Sequence, residues 1–202
     1  MSERVPIPTQ SAFLELKDER ASMQEGYRFL DEKRLILAAE ILAELGRYEQ
    51  ELALFGDAYR EAGNALEAAV ARQGLEGLSV YPPTPAMETG LELTPRRVLG
   101  VILYDLLGPQ TQPREAPASV AASPEAEACR RAFQALIPLA ARLGAMVGNL
   151  QRLRADYART ARRARALEDV LLPEIDETLR GIEAALEELE REEVARARQV
   201  HA

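Results

Sequence analysis

The feature that most constrains the fold is an apolar repeat, with steps that alternate between three and four residues, in two long segments of the chain. The first segment, residues 9–73, contains no proline and is rich in strong helix formers. Its repeat runs through Met23, Tyr27, Leu30, Leu37, Ile41, Leu45, Tyr48, Leu52, Phe55, Tyr59, Ala62, Leu66 and Ala69. Such a heptad pattern buries one stripe of a helix against a second helix. The segment is therefore predicted to form one long helix, capped by Thr9 or Ser11.

The second repeat covers residues 124–199 and begins at Ser123-Pro124, a cap residue followed by proline at the first helical position. Pro138 and Pro173 lie inside the pattern and predict local kinks. The repeat runs through Phe133, Leu136, Ala140, Leu143, Val147, Leu150, Tyr157, Ala161, Ala164, Leu167, Leu171, Ile175, Leu179, Ile182, Leu186 and Leu189.

The middle of the chain, residues 74–123, has a different composition and holds seven of the twelve prolines. Leu78–Tyr81 and Val98–Tyr104 are short stretches rich in β-branched, aromatic and other apolar residues, and they are predicted to be strands. Residues 110–122 are predicted to be a flexible linker. We therefore expect a small head built on a β-hairpin.

The predicted fold class is all-α dominated: a long antiparallel two-helix coiled coil, formed by the N- and C-terminal helices, with a small β-hairpin and loop insert. Neither apolar stripe is stable in water alone, and each is the other's nearest partner. The parts are a coiled-coil helix at 1–73, a head at 74–123 and a second coiled-coil helix at 124–202. If Gln73 faces about Pro124, Thr9 faces about Leu189.

Composition excludes several classes of function. The 202 residues include 33 acidic and 25 basic side chains, a net charge of −8, and such a surface repels nucleic acid. One cysteine, Cys129, cannot form an internal disulfide; we expect a small core residue and a reducing, cytosolic compartment. One histidine, His201, leaves no histidine-based catalytic or metal site. No catalytic residue, cofactor or metal ligand is predicted.

No targeting signal is expected in the first residues, which are polar and contain proline. The most apolar stretch, Val98–Leu107, has about half the length needed to span a bilayer and contains Asp105. Membrane association is therefore expected only through a partner.

Two charged runs have competing interpretations. The basic run consists of Arg152, Arg154, Arg159, Arg162, Arg163 and Arg165. It could bind an acidic partner, but in the register above it lies opposite acidic residues of the first helix: Asp31, Glu32, Glu40, Glu44 and Glu49. Pairing between the helices, or solvation, is the simpler interpretation. The acidic run at Glu183–Glu193 is interpreted as a solvated face, since neither a loop nor a glycine turn accompanies it.

Particular strings in both halves resemble the D subunit of the V-type/A-type rotary ATPases. The opening strings are Ile7–Ser11 with Leu14, Leu16-Lys17 and Gly26–Arg34, and the closing strings are Arg162–Glu168, Val170–Pro173 and Leu186–Glu193. Leu99–Val101 is a weaker match. The positions that carry the resemblance are Pro8, Thr9, Leu16, Lys17, Lys33, Arg34, Arg162, Arg163, Leu167, Glu168, Pro173, Glu190, Arg191 and Glu192.

The resemblance implies a non-catalytic central-stalk subunit whose helical hairpin enters a hexamer of catalytic A and non-catalytic B subunits. It also implies that an F subunit binds alongside, and that a C or d subunit at the bottom couples the shaft to the membrane ring. Rotation would then drive proton or sodium ion transport, or ATP synthesis, from a cytoplasmic position peripheral to the membrane. The residues expected in the bearing of the hexamer are Ala12, Phe13, Leu14, Val194, Arg198 and Val200.

Three alternatives remain open at this point. A generic coiled-coil scaffold or tether accounts for the heptads, although not for the particular strings. The γ subunit of an F-type ATP synthase also pairs its terminal helices, but it carries a larger α/β domain between them. A tRNA-binding helical arm conflicts with the acidic balance of charge.

Overall fold

The computed structural model describes residues 8–79, 92–107 and 123–200. The elements in chain order are α1 (Gln10–Ser79), β1 (Glu92–Val98), β2 (Val101–Leu107), α2 (Pro124–Ala166), a π-helical turn (Leu167–Leu171) and α3 (Leu172–Val200). The predicted class is confirmed: the structure is dominated by long helices, with one small antiparallel hairpin between them. The predicted linker at residues 110–122 and His201 lie outside the described residues.

The first helix has a defined start and a defined break. Of the two candidate caps, Thr9 is the one used, since its Oγ1 accepts a hydrogen bond from the Ala12 N–H at 3.2 Å. Regular helical geometry stops at Gly74, where φ is 70° and ψ is 167°, a conformation that costs glycine little. A short helical stretch then continues to Ser79.

The strand predicted at Leu78–Tyr81 is wrong where it can be compared, because Leu78 and Ser79 belong to the last part of α1. Val80 and Tyr81 lie outside the described residues. A helix satisfies its backbone groups locally, whereas a strand needs a neighbouring strand to pair with. Within the described residues β1 and β2 pair with each other, and no third strand joins their sheet.

The hairpin is tighter than predicted. The strands pair from Val98 opposite Val101 to Glu92 opposite Leu107, which leaves a two-residue turn at Leu99-Gly100. Both turn residues have positive φ, 46° and 89°, as a type I′ turn requires. The prediction of one strand over Val98–Tyr104 is therefore wrong: that apolar run contains the turn. Leucine rarely adopts positive φ, so its presence gave no turn signal.

One of the two units into which the chain divides comprises residues Leu37–Asp156. In it α1 and α2 run antiparallel, since Glu44 contacts Asn149 and Glu51 contacts Arg142. The buried apolar side chains are Leu37, Ala62, Ala69, Val101, Leu103, Ala126, Leu136 and Leu153. The hairpin contributes to this core through the inward-facing side chains of β2.

The buried stripe of this unit is narrower than the heptad pattern predicts. Several seam positions are exposed by 38% or more of their surface: Leu45, Leu52, Tyr59, Leu66, Phe133 and Val147. The most deeply buried positions of α1 include the small Ala62 and Ala69 and the charged Glu44. Contact between two helices covers one narrow stripe, so large apolar residues beside that stripe stay accessible.

The other unit combines residues Met1–Ile36 with Tyr157–Ala202. Its buried apolar side chains are Ala164, Ile175 and Ile182. Arg20 pairs with Asp176 at 2.5 Å, and Gly26 lies against the side chain of Leu167, so the helices again run antiparallel. The sequence register places Arg20 opposite residue 178, within one helical turn of the partner it has.

The irregularity predicted at Pro173 takes the form of the π-helical turn that precedes it. The Leu172 N–H donates to the Leu167 carbonyl, the five-residue spacing of a π-helix. Proline has no N–H to donate, and in a regular α-helix its ring would clash with the carbonyl of Asp169. The wider turn gives the ring room. At Pro138, by contrast, α2 continues through the proline.

Candidate functional site

Asn149 lies at the centre of the polar contacts that join the hairpin to the helices, within the unit of residues 37–156. Its side chain is 1% exposed. The Oδ1 atom accepts a hydrogen bond from the Tyr104 N–H at 2.8 Å, and Nδ2 donates to the Tyr104 carbonyl at 2.9 Å. The same Nδ2 donates to Glu44 Oε1 at 3.1 Å. The amide therefore pairs with β2 much as a neighbouring strand would.

The backbone of Tyr104 is available to Asn149 because of the hairpin register. In an antiparallel pair, alternate residues turn their N–H and C=O groups away from the partner strand. Counting from the closing pair Val98–Val101, Tyr104 and its partner Pro95 occupy such a position. Proline is tolerated opposite Tyr104, because an N–H at residue 95 would point away from β2 and take no part in the ladder. The outward groups of Tyr104 therefore meet the asparagine amide.

An ionic cluster anchors the other strand, β1, beside the hydrogen bonds between Asn149 and Tyr104. Arg96 of β1 pairs with Glu40 at 2.6 Å and with Glu44 at 3.5 Å. Arg47 reaches Glu44 at 3.1 Å. The hydrogen bond to Glu40 raises the pKa of Arg96 above its ordinary value. Because Glu44 is almost completely buried, its negative charge requires these partners.

Arg152, the first residue of the arginine run, contacts the hairpin instead of an acidic residue of α1. Its guanidinium carbon lies 4.8 Å from the centre of the Tyr104 ring, a cation–π contact. Two of the five acidic residues predicted to face the run, Glu40 and Glu44, pair with Arg96 and Arg47. Pairing between the run and these glutamates is therefore wrong as a prediction, since the hairpin supplies an arginine of its own.

The six candidate bearing residues belong to the other unit. Ala12 and Phe13 are half-buried in the first turn of α1, whereas Leu14 is 53% exposed. Val194 is 52% exposed and Arg198 is also exposed. Val200 is the last residue of α3, and its side chain lies outside what the structure describes. Residues 187–199 are all exposed, which leaves this end of α3 accessible.

The positions that carry the family resemblance are spread along this unit. Thr9 caps α1, Arg34 pairs with Asp31 at 2.6 Å, and Glu168 raises the pKa of Tyr27. Arg191 pairs with Glu187 at 2.9 Å, as Glu192 does with Arg196. The half-buried members are Pro8, Leu16, Lys33 and Leu167, and the remaining exposed members are Lys17, Arg162, Arg163, Pro173 and Glu190.

Within the described residues, no group of three or more His, Cys, Asp or Glu side chains is arranged to hold a metal ion. Cys129 is half-buried, and burial raises the pKa of its thiol. The thiol is therefore kept largely in its unreactive protonated form.

One helical stretch in the described part of the chain, Pro124–Gln199, is long and apolar enough in one window to cross a membrane. Length and composition alone give this result, and the core helix of a soluble protein passes the same test. A single helix of this kind is weak support for a membrane span.

The antiparallel helices of each unit, with the hairpin that Asn149 and Arg96 hold against them, define a two-helix coiled-coil protein with a small β insert. The family model for the D subunit of ATP synthase matches residues 12–202. The D subunit of the V-type ATP synthase of Anaeromyxobacter sp. (strain Fw109-5) is 32% identical over 206 residues, covering 96% of this chain and 92% of the relative. That of Anaeromyxobacter dehalogenans (strain 2CP-C) is 30% identical over 197 residues, covering 96% and 94%. The D subunit of the A-type ATP synthase of Thermococcus sibiricus is 28% identical over 201 residues, covering 96% and 92%. The chain belongs to the D-subunit family of ATP synthases.

Sequence reasoning missed the residues that hold the hairpin in place. Asn149 stands in an apolar stretch in which Gln134 and Arg142 are the other polar side chains between Phe133 and Leu150. A polar residue in such a stretch is the one signal available, because buried amides are retained where they find partners. Arg96 and Tyr104 gave no signal that either would contact a helix.

Proposed function

We propose that this chain is the non-catalytic central-stalk rotor subunit of a V/A-type rotary ATPase. It transmits rotation between the ATP-hydrolysing A/B hexamer and the membrane ring, which moves protons or sodium ions or runs in reverse to make ATP. The observation that carries the proposal is the match to the D-subunit family over residues 12–202. The antiparallel helices in each unit agree with a part that transmits force.

The proposed partners are the catalytic A and non-catalytic B subunits, the F subunit, and the C or d subunit that forms the bottom coupling. The chain then works on the cytoplasmic side, peripheral to the membrane, and reaches the membrane only through these partners. Ala12, Phe13 and Leu14, with Val194 and Arg198, contact the bearing of the hexamer. The exposed side chains of Leu14 and Val194 support this placement, since contact with a partner would cover them.

A rotor must keep its register while neighbouring subunits change conformation. Moving a two-state neighbour from mostly open to mostly closed takes about 5 kcal/mol of differential contact. A buried polar pair in a helical seam fixes register, because sliding the helices would leave both groups unpaired. Glu44 and Asn149 form such a pair. They suit a shaft that carries load without slipping.

Single-molecule rotation tests the rotor role directly. A C129S/E67C variant carries one reactive thiol at an exposed position of α1, to which a bead is attached after assembly with an immobilised A/B hexamer and the F subunit. ATP is expected to turn the bead continuously in one direction. The C129S protein, which has no cysteine, controls for non-specific attachment. A complex that hydrolyses ATP while a firmly attached bead stays still would favour the scaffold alternative.

A further inference from the structure

Three arginines near the end of α2 have no acidic partner within the described part of the chain. Arg162, Arg163 and Arg165 are exposed, and no ion pair joins any of them to a described carboxylate. Other arginines of the same unit do have partners: Arg20 pairs with Asp176 and Arg34 pairs with Asp31. Arg28 and Arg198 of the same unit are also exposed and have no described ion pair, so this segment differs from them in placing three such arginines within four residues.

These arginines also lie close to one another on the helix. Arg159 precedes Arg162 by three residues and Arg163 by four, and Arg165 follows Arg162 by three. Like charges at these spacings are neighbours and destabilise a helix. No acidic residue occurs between Tyr157 and Leu167 to relieve the repulsion. Asp156 lies three residues before Arg159, and Glu168 and Asp169 lie three and four residues after Arg165. The repulsion is therefore relieved at the two ends of the segment and remains between them, at Arg162 and Arg163.

Arg162 faces away from the helix contact of its unit, and Arg163 and Arg165 lie on the two flanks of that contact. Thr160 is 3% exposed and Ala164 is 1% exposed, so both belong to the buried face. Arg162 is two residues from each of them, which places it on the opposite side of an α-helix. Exposed positive charge on the outer side and the flanks of this segment, on a chain whose net charge is −8, is available to a partner.

We infer that Arg162, Arg163 and Arg165 bind an acidic protein surface. The planar guanidinium group matches a carboxylate with two parallel hydrogen bonds, and it remains charged at any physiological pH. Nucleic acid and anionic membranes fit less well, because the chain as a whole carries a net charge of −8, which opposes the approach of an extended polyanion. This step rests on the proposed function: if the chain is the rotor subunit, the acidic surface belongs to the A/B hexamer.

The test measures binding of the full-length chain to the A/B hexamer at about 50 mM and about 300 mM NaCl, where screening differs strongly. The R162E/R165E variant is compared with R60E/R97E, which makes the same change of charge at exposed arginines of the other unit. We expect R162E/R165E to weaken binding roughly tenfold or more at low salt and to flatten its salt dependence. The R60E/R97E control should stay within about twofold of the wild type.

A neutral variant, R162Q/R165Q, guards against misfolding caused by charge reversal. Because neither arginine has a described internal ion pair, its thermal midpoint should match that of the wild type, while its binding at low salt should still be weaker. Wild-type affinity and salt dependence in both variants would overturn the inference and leave the proposed function intact. A wild-type chain that never joins the hexamer would contradict both. Binding to duplex DNA or phosphatidylglycerol vesicles that depends on these arginines, without an effect on the hexamer, would also overturn it.

Discussion

Asn149 and Tyr104 are joined by two hydrogen bonds that use both backbone groups of the tyrosine and both ends of the asparagine amide. The contact links a helix to a strand 45 residues earlier in the chain. Because the hairpin register turns the Tyr104 N–H and C=O away from β1, the side chain completes an edge that the hairpin leaves open. The position of the hairpin on its unit therefore depends on one buried residue.

The N149A variant should lose this attachment. The Tyr104 backbone groups and Glu44 Oε1 would each lose a partner, so we expect the free energy of unfolding to fall by about 2 kcal/mol or more. Urea denaturation measures the loss, and amide hydrogen exchange should show faster exchange at Tyr104. The Q151A variant removes an exposed amide nearby and should change stability little. Unchanged exchange at Tyr104 in N149A would contradict the account.

Removing Arg96 should destabilise the fold mainly because Glu40 and Glu44 would each lose an ion-pair partner. The R96M variant is expected to lower the free energy of unfolding by about 1–3 kcal/mol, since the buried carboxyl group of Glu44 then has one arginine partner fewer. Adding E44Q to R96M should recover part of the loss, because the buried charge is then gone. The exposed R97M variant is the matched control. If R96M and R97M have equal effects on urea denaturation, the cluster does not anchor β1.

The Leu99-Gly100 turn offers a stabilising substitution. Leu99 has φ of 46°, a region that asparagine enters more readily, and Asn-Gly is the preferred type I′ pair. The L99N variant should raise the free energy of unfolding by about 0.5–1 kcal/mol. The G100A variant should do the reverse, because its φ of 89° is strained for any side chain. Thermal midpoints of the two variants should move in opposite directions.

Helix periodicity predicted the long helices but not which seam residues are buried. Ala62 and Ala69 are fully buried while Leu66 is 40% exposed, although all three fit the repeat. The repeat defines a broad stripe, and only the position of the partner helix decides which part of it is covered. The two helix starts were predictable, because the cap of each, Thr9 or Ser123, acts on the backbone next to it.

The contact between Asn149 and Tyr104 could not be predicted, because the two residues are far apart in sequence and Tyr104 takes part through its backbone. A peptide group is the same at every residue, so nothing in the letters marks Tyr104 as the acceptor for Asn149. The strand register that exposes this peptide depends on the turn at Leu99, whose residue type is typical of a strand interior. Because the turn was not predicted, the contact between Asn149 and Tyr104 could not be predicted either.

The Arg20–Asp176 pair predicts a particular pH dependence. The hydrogen bond from Arg20 lowers the pKa of Asp176 below its ordinary value. The folded protein thus keeps the carboxylate charged to a lower pH than the unfolded chain does. The pair stabilises the fold fully when the pH lies above the pKa that Asp176 has in the unfolded chain. The stabilisation is lost as the pH falls through the lowered pKa of Asp176 in the folded protein.

The D176N variant should therefore melt at a lower temperature than the wild type near neutral pH. This difference should disappear once the pH lies below the lowered pKa of Asp176. The exposed E177Q variant, at the neighbouring position, is the control and should follow the wild-type curve throughout. A difference between D176N and wild type that persists in strong acid would show that the pair does not act through its charge.

Deleting residues 193–202 tests whether the end of α3 contacts the proposed bearing. Residues 193–199 are exposed, so the deletion removes no described core side chain, and the thermal midpoint should change little. If Val194 and Arg198 contact the hexamer, the truncated chain should assemble more weakly, and ATP-driven ion pumping should fall further than ATP hydrolysis does. The full-length E187A variant, altered at an exposed position just before the deleted end, should retain coupling. Pumping at the wild-type rate by a fully assembled truncated complex would place the bearing contacts elsewhere, because a shaft that loses its bearing cannot transmit the same torque.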